Sequence, residues 1–433
     1  MTEENSAANI SPSGEATKAT IAKFAMGAIG FLGNIYFARV LGPERIGGFY
    51  LFIALAGFLI RPLGGVSSAI RKRASEAGTS IPQSIGLMGA FGFVWFLLVA
   101  AGVILFQERV VSYTGISAIV LPFLLYFATE VIYGTFVPVL QGRGQIGFAY
   151  GMDAFRTYVE IPLQFVLVTL GYGVQGLIAG LITANVVAIP VVVHGLGQTP
   201  ERPSREFAAR VANFAKFSVP TTVVGKAYGE FDTFLLGALL SQAVVGDYGV
   251  AARLTLPAVY LATSVSATTV VRISSNRSRG KDVSEDVTNA LSFSGILAIP
   301  ILFGAVVVAE PLINVVYGSA YAGAAIFLVA IGAQRVIESQ VKVFLRVLDG
   351  LDRPDYTFKL SVVALVVNVP LGVVLVREIG GVGVVIATIS VEVFRYVGAW
   401  WLVREELSGT PAVTSTLLKQ LFAAALMAGL VSV

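Results

Sequence analysis

An all-α polytopic membrane protein is the fold class the sequence predicts, and three observations carry it. Apolar runs of about twenty residues, the length that crosses a bilayer core of about 30 Å as a helix, recur over about two-thirds of the 433 residues. Only 13% of the residues are charged and 56% are hydrophobic, whereas an ordinary soluble domain carries about 25% charged residues. Landmarks of the first half also return in the second half in the same order. A soluble chain of this length would need polar surfaces for two or three domains, and the charge to cover them is missing. The composition therefore argues against a soluble enzyme, a nucleic-acid binder and a disordered chain. The formal charge of +4, from 30 Lys+Arg and 26 Asp+Glu, is too small to imply nucleic acid. With no Cys and one His, thiol chemistry and multi-histidine metal sites are excluded, and no metal or cofactor is expected.

The expected spans are 19–38, 46–66, 84–106, 116–139, 148–170, 174–194, 214–240, 248–271, 288–309, 323–348, 357–376 and 380–402, with a thirteenth beginning at Leu417. In hydrocarbon every backbone polar group must be satisfied within a helix or a closed barrel. Barrel strands would be about ten residues long and alternating, so these runs are helices. The connections are short: the longest is 195–213, and the largest outer loop is 310–322. Residues 1–18 form a polar tail without the basic and short apolar regions of a cleaved signal, so the first span reads as an uncleaved helix. Pro220, Pro257, Pro300 and Pro370 fall within spans and are expected to kink them. Trp400 and Trp401 look like an interfacial belt.

Loop charge orients the bundle. With the N-terminus in the cytoplasm, the inner segments hold Lys18, Arg71, Lys72, Arg73, Arg143, Arg202, Arg205, Arg210, Arg272, Arg277, Arg279, Lys281, Arg353 and Arg404. The outer loops hold only Arg39, Arg45, Arg109 and Arg377. The positive-inside rule favours this orientation. The sequons at Asn9 and Asn276 then face inward and read as chance matches.

Leu41-Gly42-Pro43-Glu44-Arg45-Ile46-Gly47-Gly48-Phe49 returns as Leu240 to Tyr248, at an offset of 199. Leu140-Gln141-Gly142 returns as Leu348-Asp349-Gly350 at 208, and the turn at Gly173-Val174-Gln175-Gly176 returns as Gly380 to Gly383 at 207. Six spans separate the copies, an even number, so both enter the membrane the same way. The organisation expected is a cytoplasmic tail 1–18, a six-helix lobe 19–194, a cytoplasmic linker 195–213, a second pseudo-symmetric lobe 214–402, and a cytoplasmic loop with a partial thirteenth helix over 403–433. A central cavity between two such lobes would give alternating access.

Ionisable residues at bilayer depth are costly and default to functional candidates. Most here have opposite-sign neighbours on their own helix: Arg156 with Glu160, Lys226 with Glu230, Arg335 and Lys342 with Glu338, and Glu392 with Arg395. Local charge compensation without a ligand is the plain alternative. Arg61 and Glu130 have no such neighbour, and Glu130 corresponds to Glu338 at offset 208. A contact between Glu130 and Arg61, or snorkelling of Arg61 to the cytoplasmic surface, is the structural reading. No phosphate-binding loop occurs, since Gly225-Lys226-Ala227 continues into apolar helix; the lone His194 lies at a span end.

Phe37-Ala38-Arg39-Val40-Leu41-Gly42-Pro43-Glu44-Arg45-Ile46-Gly47 resembles the first hairpin of polysaccharide-biosynthesis flippases. These are the O-antigen-type members of the multidrug/oligosaccharidyl-lipid/polysaccharide exporter superfamily. Val245 to Leu254, Tyr317-Gly318-Ser319-Ala320-Tyr321 and Gly380-Gly381-Val382-Gly383 are similar to later landmarks of the same family. The resemblance implies twelve to fourteen helices in two lobes, of which this sequence spells twelve and part of a thirteenth. It also implies flipping of a polyprenyl- or dolichyl-linked oligosaccharide from the inner to the outer leaflet. The chain is then a transporter in the cell membrane and not an enzyme, and it is expected to act as a monomer. Its partners would be membrane lipid, the lipid-linked glycan and an H+ or Na+ gradient. A phosphate linker is anionic, so Arg61, Arg156, Lys226, Arg253 and Arg335 are the candidates for holding it. Glu130, Glu230, Glu338 and Glu392 are the candidates for ion coupling. The rivals are a drug or cation antiporter of the same superfamily, which would want an acidic or apolar cavity, and a membrane-embedded glycan polymerase or ligase, which would want a larger outer loop.

Overall fold

The apolar runs fold as helices, and helices broken by Gly and Pro. The structure, a computed structural model, describes residues 12–76, 80–407 and 409–431. The Asn9 sequon and most of the polar tail lie outside them. α1 (Pro12–Leu59) covers the first expected span and most of the second, with a break at Gly42, whose φ of +77° suits glycine and which precedes Pro43. α2 (Arg61–Ala74) continues it at a bend of 44°. α3 (Ile81–Leu105) opens under Ser80, whose side chain accepts from the Gln83 N–H. There follow α4 (Gln107–Thr114), α5 (Val120–Gly142), α6 (Ile146–Thr169), α7 (Gly173–Leu196) and α8 (Arg205–Leu239).

Ser241 caps α9 (Gln242–Leu254) by accepting from the Val244 N–H, and α10 (Leu256–Ser278) starts at once. Before α11 (Ser284–Ser294), Asp282 accepts from the N–H and hydroxyl of Ser284, which hold its carboxyl below the usual range. The chain then forms α12 (Ala298–Val316), a 3-10 turn at Ser319–Tyr321, α13 (Ala324–Gly350), α14 (Pro354–Ile379), α15 (Val382–Glu406) and α16 (Ser415–Val431). Two of the four expected kinks are starts instead: Pro257 and Pro300 sit in the first turns of α10 and α12, where a missing N–H costs nothing.

Among the described residues, eight helices are long and apolar enough to cross a membrane, or nine if the bent α1–α2 pair is one span. Each of the expected spans nevertheless coincides with a helix or a broken pair. α6 falls outside the apolar set because Asp153, Arg156 and Glu160 lie within two turns. The outward faces are hydrophobic: on α3 only 22% of the apolar window is buried, and Phe93, Leu98 and Leu105 stand exposed. Such faces suit lipid rather than water.

The described helices form two compact units. The first takes the chain to Leu41 and then Gly48–Glu230; the second takes Gly42–Gly47 and the chain from Phe231 onward. Each is built alike. In the first, α2 packs on α5, α5 on α7 and α6 on α7; in the second, α10 packs on α13, α13 on α15 and α14 on α15. The repeated glycines sit at the matching contacts. A Cβ on Gly142 would meet Ala74 Cβ at 2.5 Å and Arg71 O at 2.9 Å; one on Gly350 would meet Ile273 Cβ at 3.1 Å and Val270 O at 3.2 Å. The pairs Arg71–Val270 and Ala74–Ile273 are themselves 199 apart. Within the second unit, Gly47 abuts Gln242 O at 1.7 Å and Gly246 abuts Pro43 O at 2.1 Å, measured from the same hypothetical atom. Pro43 and Gln242 also differ by 199, so the motif noticed in the sequence packs reciprocally on its own copy.

Candidate functional site

The first unit contains a polar site beside the α1–α2 bend. Pro62 has no N–H, and the Leu63 N–H turns to Ile60 O (3.1 Å), so the last carbonyls of α1 lose their helical donors. The Trp95 indole on α3 donates to Leu59 O at 2.7 Å. From α8, Thr222 donates to Arg61 O (3.2 Å) and Ser218 to Gly65 O (2.7 Å). Broken backbone at membrane depth is tolerated where protein groups satisfy it or where it lines a cavity, and here both hold. A cavity of about 220 Å³ opens at the bend, lined among others by Arg61, Ser67, Glu130, Tyr133 and Arg156. It has room for a phosphate-sized group.

Arg61 opens α2, and its Nε is buried without an acceptor. Among the described residues it has no ion pair. Arg156 does not take the expected Glu160, four residues along its own helix. Its Nη2 lies 2.5 Å from Glu130 Oε1 on α5, with both side chains about one-fifth exposed. Asn185 on α7 donates a further bond to Glu130 (3.0 Å) and one to Thr129 Oγ1 (3.1 Å). The Arg156 guanidinium lies over the Tyr133 ring, 4.2 Å from its centroid, and the Tyr133 hydroxyl donates to Asp153 (2.9 Å). The reason for the swap is geometric: α5 carries Glu130 and Tyr133 one turn apart, and together they hold the guanidinium by charge and ring. The lining therefore sets two cations against one carboxylate, and the excess charge is that of Arg61.

The other local pairs form as expected. On α8, Lys226 Nζ lies 2.6 Å from Glu230, with its stem against Gly57 and outside the cavity lining. In the second unit Glu338 is bound by Arg335 and by Lys342 (2.8 Å), and Arg335 Nε also donates to Thr255 Oγ1 (3.2 Å). Glu392 and Arg395 pair at 2.6 Å, with both residues buried. Arg253 donates to Gly249 O at 3.1 Å in the last turn of α9. Glu130 and Glu338, matched by the repeat, thus reach cations by different routes: one from a neighbouring helix, the other from its own.

The amino-acid sequence matches the polysaccharide biosynthesis protein family over residues 37–326. The chain belongs to this family. Among curated relatives it is similar to the "Probable low-salt glycan biosynthesis flippase Agl15" of Haloferax volcanii, 27% identical over 83% of this chain and 76% of that protein. It is also similar to the "Probable flippase AglR" of the same organism, 29% identical over 83% of this chain and 77% of that one. Among solved structures, the lipid II flippase MurJ in an inward closed conformation superposes with a TM-score of 0.82 at 16% identity, covering 96% of this chain and 92% of that one. At that identity the likeness is one of fold.

For this polysaccharide biosynthesis family chain, sequence reasoning missed two sets of residues. One is Tyr133, Asp153 and Asn185, which support Glu130 and Arg156. The other lies in the second unit: buried Asp232 accepts from Tyr248 (3.0 Å) and Thr388 (2.9 Å), and Asn368 donates to Thr388 (3.3 Å). An acidic residue inside span seven with no cation three or four positions away was the signal for Asp232. Neutral Asn, Thr and Tyr give no such signal.

Proposed function

We propose that the protein flips a lipid-linked oligosaccharide, of the polyprenyl or dolichyl phosphate type, from the cytoplasmic to the outer leaflet of the cell membrane by alternating access. The observation that carries this reading is Arg61, which has no ion pair among the described residues and lines a cavity with room for a phosphate at a broken helix, in a chain of the polysaccharide biosynthesis family. An arginine fork suits the planar, bidentate recognition of a phosphate. The two Haloferax relatives named as flippases support the transport class. The sugar headgroup cannot cross hydrocarbon, while the lipid tail need never leave it, so a polar site in a lipid-embedded bundle meets both demands.

In this reading Arg61 and, through its pair with Glu130, Arg156 hold the phosphate linker, while the remaining cations Lys226, Arg253 and Arg335 serve later positions of the path. The N-terminus lies in the cytoplasm, and a membrane ion gradient drives the cycle. A drug or cation antiporter would place net negative charge in the cavity, and the excess here is positive. The test is glycan export in cells carrying Arg61→Glu, Arg61→Gln and, as a control on α4, Arg109→Ala, at matched protein levels. Export should fall most for Arg61→Glu, less for Arg61→Gln and not at all for Arg109→Ala. Full export by Arg61→Glu would end the reading of Arg61 as the phosphate contact.

A further inference from the structure

We propose that Glu160 is a proton-binding site, a carboxylate in the middle of α6 that takes up and releases one H+. Its position is the first reason. α6 runs from Ile146 to Thr169, and Glu160 lies near its centre with its side chain partly buried. Its partners are the second. The cation placed four residues before it, Arg156, is bound to Glu130 instead. The Gln164 amide donates to Glu160 at 3.2 Å, but the same nitrogen also serves Leu177 O at 3.0 Å. No ion pair involves Glu160 among the described residues.

The surroundings do not supply the missing charge. On α6 itself the other ionisable groups are Asp153 and Arg156. From α5 come Glu130, Tyr126 and Tyr133, with Glu130 holding Arg156 and Asn185. α7 brings no Asp, Glu, Lys or Arg. α1 packs here through Gly33 against Ile161 and Tyr36 against Phe165, and Tyr36 shares a bond with Thr169; Ile29 to Ala38 carries no Asp, Glu, Lys or Arg. Across the cavity stands Arg61. The cation nearest to Glu160, Arg156, is thus already bound to Glu130, and the lone excess cation of the cavity lining, Arg61, makes no ion pair with Glu160 among the described residues. A carboxylate at membrane depth without a cation is costly, and binding H+ removes the charge while leaving an oxygen to accept from Gln164. The step is a protonation and its reversal: water on one side supplies H+, which adds to a Glu160 carboxylate oxygen, and H+ leaves to water later. One turn away stands Arg156 in the cavity wall, so each uptake changes the field at the Arg156–Glu130 pair. The site can therefore couple a pH difference across the membrane to the cavity.

The binding test does not depend on the flippase reading; the transport test rests on it. The purified full chain in lipid nanodiscs is titrated while infrared difference spectra record the C=O band of a protonated carboxyl. Wild type should show a band that Glu160→Gln removes and Glu160→Asp retains. Gln164→Leu should shift its frequency through the lost amide bond, which keeps the assignment open to test if Glu160→Gln fails to fold. A spectrum unchanged by both Glu160→Gln and Gln164→Leu would overturn the site. In proteoliposomes, a fluorescent polyprenyl-phosphate glycan should flip several-fold faster under an imposed pH gradient with wild type and at an unchanged rate with Glu160→Gln. Stimulation by a Na+ gradient with no response to pH would overturn proton coupling. Absence of flipping by wild type with the Glu160 band present would refute the flippase reading and leave the proton site standing.

Discussion

Arg156 stands between two carboxylates, and a double-mutant cycle decides which one it serves. Replacing Arg156 by Gln leaves Glu130 at membrane depth without its cation, held by neutral groups such as the Asn185 amide at 3.0 Å and the Tyr126 hydroxyl. Removing one partner of a fully buried pair costs about 3–5 kcal/mol, whereas an exposed pair is worth about 0–1 kcal/mol. With the side chains 18% and 20% exposed and a separation of 2.5 Å, the pair falls nearer the buried limit. A coupling of about 2–3 kcal/mol between Arg156→Gln and Glu130→Gln is expected on that scale. Each single change should destabilise, and the double variant should recover most of the loss, because no charge is stranded. The corresponding cycle with Glu160→Gln should give a coupling below about 0.5–1 kcal/mol, the range of a weak or exposed contact. The assay is reversible unfolding in mixed detergent micelles, followed by tryptophan fluorescence. A coupling to Glu160 as large as that to Glu130 would refute the interhelical assignment and restore the i,i+4 pair of the sequence.

Gly47→Ala and Gly246→Ala should each prevent correct folding or cost more than about 3 kcal/mol, because the new Cβ would sit 1.7 Å from Gln242 O and 2.1 Å from Pro43 O. Gly64→Ala, with nothing within 4 Å, should be neutral or stabilise by up to about 1 kcal/mol; folded yield and thermal midpoint separate the three. Trp95→Phe keeps the ring but removes the donor to Leu59 O, and should cost about 1–3 kcal/mol in the same unfolding assay, the price of a stranded buried carbonyl. A cysteine at Ser278, which is exposed at the end of α10, should be labelled only by a reagent admitted to the cytoplasm; labelling from outside intact cells would invert the topology.

Hydropathy made the spans legible because lipid demands one property over a fixed length, and only helices meet it. The repeat was legible for a related reason. Gly47, Gly142, Gly176 and their copies sit where helices touch too closely for a side chain, so no other residue serves; Gly176, for example, would place a Cβ 2.9 Å from Leu167 Cβ. The breaks were harder. Ile60 bears no mark of a helix end, and the bend there depends on Pro62 together with donors from Trp95, Thr222 and Ser218, which lie 33 to 160 residues away in the chain. The charges were half legible. Lys226, Arg335, Lys342 and Arg395 take the neighbours that helical spacing offers. Arg156 does not, because spacing along one helix says nothing of the Glu130 and Tyr133 presented by the next. For the same reason a sequence reading pairs Glu160 with Arg156 and passes over it.

The most direct test of the central claim is transbilayer movement by the purified chain. A fluorescent polyprenyl-phosphate oligosaccharide placed in one leaflet of proteoliposomes is followed by its accessibility to an impermeant reagent. Wild type should move it much faster than empty liposomes, and Arg61→Glu should slow the movement at least tenfold, a factor that corresponds to about 1.4 kcal/mol. Movement no faster than in empty liposomes, or equal rates for wild type and Arg61→Glu, would contradict the assignment of this cavity to a phosphate-linked glycan.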